Sequence, residues 1–274
     1  MKRLSVLLLI LYACSAYGQD KDKNLIFTVK DVTFEMVFVD SGTFLMGCSG
    51  ERKDCYNNEM PAHKVTLSNF YYIGKYEVTQ KLWHAVMGIT IQQQHKLVSA
   101  ISVFGEGGDL PMYYINYNDC IEFCAKLNKL FSNQLPKGYK FRIPTEAQWE
   151  YAARGGKKGN GYKYSGSDSI NEVAWYSDNS GNKTHEVGTK TANELGIYDM
   201  SGNIGEWCLD GFNDYLNIPA TATNPKYPST DLVYVFRGGS FSHDKASSRV
   251  YYRRSAGGNT RYGNIGLRLC LSTY

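Results

Sequence analysis

Apolar and polar residues alternate from Val37 to Met46 (VFVDSGTFLM) and the run stops at Gly47, the pattern of a half-buried strand entering a turn. Val65-Thr66-Leu67 and the apolar stretch from Phe70 to Ile73 predict a second strand region. The period then changes. From Thr79 the segment through Trp83 to Met87 has helical spacing, with the Thr79 hydroxyl placed to cap the first turn. Ile121, Cys124, Leu127 and Phe131 recur every three or four residues behind Asn118 and Asp119, which predicts a helix capped by one of these two and running to about Phe131. Thr145 opens a third helix after Pro144, and Gly155-Gly156 closes it. The rest of the chain is short strands between Gly, Asn and Ser turns. No repeat or linker interrupts it, so the fold class expected is α+β, a single domain.

Composition narrows this picture. A chain of 274 residues that is 43% hydrophobic can bury one large core, which excludes disorder. Its 27 glycines against 7 prolines, with 22 tyrosines, point to an irregular backbone held by turns and aromatic packing, low in regular secondary structure. The net charge of +4 without a basic run argues against a nucleic-acid partner.

The first residues read as a separate segment. Lys2 and Arg3 precede an apolar run from Leu4 to Ala13, and Ala16 and Gly18 suit a cut before Gln19, so residues 1–18 are expected to be a signal peptide. That run is well short of the roughly 20 residues that span a bilayer, and no transmembrane segment is expected elsewhere. Leu11-Tyr12-Ala13-Cys14 loosely resembles a lipobox, which leaves a lipid anchor at Cys14 as the alternative to simple secretion. An N-terminal extension at 19–36 and a domain at 37–274 complete the expected division. Export, to a periplasm, the medium or the cell surface, would put the remaining six cysteines where disulfides persist. Cys48 and Cys55 flank a short polar loop and are expected to pair. Cys120 and Cys124 would share one helix face as core residues, and Cys208 and Cys270 have no partner readable from spacing.

The segment from Phe141 to Gly156, FRIPTEAQWEYAARGG, resembles the signature of the formylglycine-generating enzyme, or sulfatase-modifying-factor, family. The family's other motifs follow in its order. They are Gly42–Gly47, Glu77-Val78-Thr79-Gln80 with Trp83, Gly196–Asn203, Glu206-Trp207, Arg237–Phe241 and Gly266-Leu267-Arg268. The resemblance implies a C-type-lectin-like fold. Within the signature, Arg142 and Arg154 lie near Glu146 and Glu150 for ion pairing, and Trp149 reads as a core anchor.

The family's chemistry maps onto two stretches. Its calcium loop matches Asp199 to Glu206, and the resemblance implies ligation by the side chains of Asp199 and Glu206 and the carbonyls of Gly202 and Ile204, oxygens that suit a hard cation. The same residues also suit an Asx-type turn. Formylglycine-generating enzymes carry two cysteines five apart after GGSF, whose thiolates hold copper. Here His243 and Ser248 occupy those positions. An imidazole and a hydroxyl do not reproduce a bis-thiolate site, so neither Cu(I) nor formylglycine formation is expected. The five histidines, His63, His84, His95, His185 and His243, lack the HxxxHxE spacing of the related iron enzymes, and Ser240, His243 and Asp244 lie too close in sequence for an expected hydrolytic triad.

What remains is a surface rich in Tyr, Arg, Ser and Asn between Ser242 and Asn264, the composition that recognition sites favour. His243, Asp244, Arg249, Tyr251, Tyr252, Arg253 and Arg261 are the candidate ligand groove, and alternation along a final sheet is the competing reading. The expectation is an exported, non-catalytic protein that binds a glycan, peptide or protein, the alternative being an oxidoreductase of the formylglycine-generating type or another enzyme in the same groove.

Overall fold

The computed structural model describes residues 23–50, 55–99 and 102–273. The expected signal peptide and Cys14 lie outside the described residues. A hairpin of β1 (Leu25–Val29) and β2 (Val32–Val39) begins the fold, followed by β3 (Gly42–Met46), β4 (His63–Leu67) and β5 (Tyr71–Gly74). Helices α1 (Gln80–Met87), α2 (Ile91–His95) and α3 (Tyr117–Leu130) come next, then β6 (Lys140–Arg142), α4 (Glu146–Ala153) and α5 (Ile170–Val173). The C-terminal part contributes β7 (Gly205–Gly211), β8 (Thr221–Thr223), β9 (Val233–Arg237), β10 (Arg253–Gly257), β11 (Ile265–Gly266) and β12 (Cys270–Ser272). Helix makes up 21% of the chain and strand 24%, helix below the usual third, as the glycine content led one to expect.

Three sheets form, in the orders β1-β2-β5-β12-β6, β10-β9-β7-β11 and β3-β4-β8. The five-stranded sheet is covered on both faces. Met36 and Tyr72 face a core of Trp83, Phe123, Leu127 and Phe141 under α1 and α3, with the Trp83 and Phe123 rings stacked at 5.0 Å. Val37, Tyr71 and Ile73 face a second core with Val65, Leu67 and Trp149. Neighbouring residues of a strand point to opposite sides, so these two cores divide the strands position by position.

Several expectations change here. The single strand expected from Val37 to Met46 is two, because Asp40 and Ser41 break it and send β2 and β3 into different sheets. The domain boundary expected at residue 37 falls inside β2, whose pairing with β1 and β5 ties residues 25–36 into the sheet. Helix α1 is capped by Thr79 as its spacing predicts. Helix α3 is capped by Asn116 rather than Asn118 or Asp119, with Asp119 completing a reciprocal capping box. Ile121 faces solvent at 41% exposure and Phe123 takes the core position instead. Cys124, Leu127 and Phe131 are buried as their spacing predicts.

Candidate functional site

The backbone enters the C-terminal segment through Gly238 and Gly239, both at positive φ. A Cβ on Gly239 would stand 2.7 Å from the Ser247 carbonyl, so the loop closes on itself only with glycine there. Ser240 Oγ lies 2.7 Å from His243 Nδ1 and accepts from the Ser242 N–H. The residues judged too close for a triad thus do share one hydrogen bond. Asp244, however, is spent on the next turn, where its carboxylate accepts from the N–H and hydroxyl of Ser247. A short 3-10 turn (Lys245–Ser248) follows, and the Ser248 hydroxyl is buried without a hydrogen-bond partner among the described residues. His243 is half-buried beside Phe236, and burial together with Arg254 holds its imidazole below the usual range, neutral at pH 7.

The expected groove residues do not converge. Arg249 is buried, paired to Glu59 at 3.0 Å and stacked over Tyr56 and Tyr251. Arg253 is buried and forks onto Glu146 with two bonds of 2.7 Å. Arg261 pairs with Asp119. Tyr252 packs edge-on against Tyr56, while Tyr251 is half-exposed and lines a cavity of 370 Å³ with Ser49, Arg154, Tyr162, Lys163 and Asp168. His243 is not among the residues lining that cavity. A Tyr/Arg-rich composition served buried ion pairs at Arg249 and Arg253, which sequence alone does not separate from exposed recognition residues.

Two buried ionic centres lie beneath these segments. In the first, Arg237 pairs with Glu150 and, at 3.1 Å, with Glu146, while Arg154 reaches Glu150 at 2.9 Å. The Arg142 side of the expected pairing is not used, since Arg237 and Arg253 take Glu146. Burial raises the Glu150 carboxyl, but Arg154 and Arg237 outweigh it and leave it below the usual range. Asp210 closes the edge by accepting from the N–H groups of Glu146 and Tyr227, each at 2.7 Å, and burial pushes its carboxyl up to about 7.

The second centre holds the expected calcium residues. Both oxygens of Glu206 accept from Arg268, and one also accepts from the Trp149 indole at 2.6 Å. Asp199, at positive φ, accepts from the Gly188 N–H at 2.7 Å, and burial pushes its carboxyl up to about 6. Gly202 also turns with positive φ, against the Trp175 backbone. Glu77 reaches in from the turn before α1 and accepts from the Asn203 amide and the Ile204 N–H. Burial, then Asp199 and Glu206, push the Glu77 carboxyl well above the usual range. This arrangement does not fit a calcium shell closed by Glu206, because a guanidinium already occupies that carboxylate. Among the described residues no group of three or more His, Cys, Asp or Glu side chains has metal-holding geometry. Glu77, which the sequence offers only as the start of a family motif, is the site residue whose place beside Asn203 and Ile204 was not read from it. Its signal was a lone acid between Tyr76 and Val78, at the edge of an apolar run.

The family model for the sulfatase-modifying factor enzyme 1-like domain matches residues 23–273. The chain belongs to that family. A chaperone protein, LppX, of Paenibacillus barcinonensis is 35% identical over 261 residues, covering 77% of this chain and 81% of the relative. The formylglycine-generating enzyme of Thermomonospora curvata is 28% identical over 290 residues, covering 83% and 88%. Among solved structures, variable protein 1 of Treponema denticola superposes with a TM-score of 0.76 at 29% identity, covering 90% of this chain and 98% of that one. In this sulfatase-modifying-factor fold the described residues contain one disulfide, Cys48–Cys55, as expected, and Cys120, Cys124, Cys208 and Cys270 are buried and unbridged. No helix of the described residues is long and apolar enough to cross a membrane.

Proposed function

We propose that this protein is an exported, non-catalytic member of its family that binds or helps assemble a glycan, peptide or protein. The observation that carries the reading is the chemistry at the two positions matching the family's copper cysteines. His243 is tied to Ser240, and Ser248 offers a buried hydroxyl. Neither supplies a thiolate. The four unbridged cysteines do not compensate. Burial pushes the Cys270 thiol up to about 12 and those of Cys120 and Cys208 well above the usual range, whereas soft-metal ligation needs the deprotonated sulfur. A disulfide at Cys48–Cys55 supports an oxidising compartment, and the name of the Paenibacillus relative, a chaperone, is consistent with assisting another protein.

The test is turnover. Protein supplied with Cu(I) and oxygen should leave the cysteine of a CxPxR-type peptide unconverted, as read by mass spectrometry. Loss of the thiol with gain of an aldehyde would instead establish the oxidoreductase reading. The binding side is read with glycan and peptide arrays, where Tyr251→Ser should lower the signal at unchanged melting temperature.

A further inference from the structure

Beyond α4 the chain runs through an exposed loop, Lys158-Gly159-Asn160-Gly161, which carries the one Asn-Gly step of the sequence. Gly161 has a φ of +77°, and a Cβ placed there would meet nothing within 4 Å. The N–H of Asn160 is held by Glu194 Oε1 at 2.9 Å, which fixes the backbone just before the step. Past that point the contacts stop. Among the described residues neither the Asn160 side-chain amide nor the Gly161 N–H makes a hydrogen bond.

Two other asparagines show what protects an amide elsewhere. Asn179 precedes a small residue, but its amide donates to the Ala174 carbonyl at 3.0 Å and its oxygen accepts from the Tyr176 N–H at 2.9 Å, while the Ser180 N–H is bonded to the Tyr176 carbonyl. Asn259 is exposed, but the branched side chain of Thr260 crowds the nitrogen that follows it, and that N–H is bonded to the Gly257 carbonyl at 3.1 Å. Asn160 has neither protection. Its amide carbon is free to turn toward a following nitrogen that carries no hydrogen bond and no side chain beside it.

We propose that Asn160 is a modification site, deamidating without an enzyme through a succinimide to aspartate and isoaspartate. The Gly161 nitrogen loses its proton and forms a bond to Asn160 Cγ. The bond from Cγ to the side-chain nitrogen breaks, and ammonia leaves with that proton. Water then opens the five-membered ring, at the Cγ–N bond to give aspartate or at the backbone carbonyl to give isoaspartate. One water is consumed, one ammonia is released and no oxidant is needed. Lys158 and Lys163 bring positive charge to both sides of the step, which favours the deprotonated nitrogen.

The change falls beside the Tyr251 cavity, whose 370 Å³ are lined by Gly161, Tyr162, Lys163 and Asp168 on this side and by Arg154 on the other. Arg154 is already met by Glu150, and Lys163 and Asp168 carry opposite charges. A carboxylate at Asn160 turns that balanced wall negative, and isoaspartate also threads Cβ into the main chain next to it. The chemistry itself does not depend on what the cavity binds.

The experiment ages the whole protein at pH 6 and at pH 8, digests it under mildly acidic conditions, and reads every asparagine by mass spectrometry, with isoaspartyl methyltransferase to count the isoaspartate. Asn160 should lose its amide about tenfold or more faster than Asn179 and Asn259, faster at pH 8 than at pH 6, and give both products. Asn160→Gln, which would have to close a six-membered ring, should hold isoaspartate at background with an unchanged melting temperature. Loss at Asn160 no faster than at Asn259, aspartate without isoaspartate, or undiminished isoaspartate in the Asn160→Gln variant would overturn the proposal.

Discussion

The two buried ionic centres are built from the same residue types and differ in balance. Around α4 and β9, three guanidiniums, Arg154, Arg237 and Arg253, meet Glu146 and Glu150 with Asp210 at the edge. The cavity beside it, lined by His63, Glu146, Asp210 and Tyr215, has a volume of only 10 Å³. Around Arg268, one guanidinium pairs with Glu206 while Glu77 and Asp199 are held by amide and backbone N–H donors, and the cavity that reaches Glu77 has a volume of 380 Å³. The first centre is closed on itself and works as a frame. The second is less balanced, and beside its open space burial, then Asp199 and Glu206, hold the Glu77 carboxyl well above the usual range.

Removing the key arginine should therefore cost more in the second centre. Arg268→Gln leaves the buried Glu206 carboxylate without its guanidinium and should destabilise by about 5 kcal/mol, whereas Arg237→Gln leaves Glu146 with Arg253 and Glu150 with Arg154 and should cost about 3 kcal/mol. Urea unfolding at pH 7 measures both. Equal losses, or a larger one for Arg237→Gln, would break the comparison.

Acidity sharpens it next. Burial raises the Asp210 carboxyl from its ordinary 3.8 to about 7, so between those values the folded chain holds a proton that the unfolded chain has released. The stability that this proton brings is fully present below pH 3.8 and is lost as pH rises through 7. Wild-type stability should fall between pH 4 and 7.5 more steeply than that of Asp210→Asn, the two slopes differing by a few kcal/mol across the window. Parallel curves would mean that Asp210 is not protonated in the folded frame.

A smaller effect reaches the frame from outside. Gly47 donates its N–H to Glu150 and accepts from Arg154, each at 2.8 Å, and the Cys48–Cys55 bridge anchors the loop that follows. Cys48→Ser with Cys55→Ser should cost about 2 kcal/mol through the freed loop, read by urea unfolding. An unchanged midpoint would show that the bridge does not support the frame.

How much of this was legible in the sequence depended on the range of the interaction. Local signals read well. Thr79 and Thr145 cap the helices they precede, and Cys48 and Cys55 bridge across a short loop. The long signature around Thr145–Arg154 carried the fold. Long-range pairing did not read. Glu59 with Arg249 spans 190 residues and Glu146 with Arg253 spans 107, and nothing local distinguishes an arginine destined for a buried carboxylate from one destined for a ligand. Of the seven residues proposed as one groove, Arg253 joins the frame, Arg249 and Arg261 pair with Glu59 and Asp119, Asp244 caps a 3-10 turn, His243 bonds Ser240, Tyr252 packs on Tyr56 and Tyr251 lines a cavity. The resemblance implied Glu206 as a metal ligand, and the bond it accepts from Arg268, 62 residues further on, is not written in its own loop.

The proposed function rests on His243 and Ser248 standing where the resemblance places the family's two copper cysteines, with a thiolate at neither. The most direct measurement is titration of the reduced, purified protein with Cu(I) in competition with a chromophoric chelator. The account predicts that the chelator keeps the metal, with no stoichiometric transfer at neutral pH, and that His243→Ala changes nothing in the titration. One equivalent of Cu(I) withdrawn per chain, with the ultraviolet charge-transfer band of a thiolate complex, would contradict it.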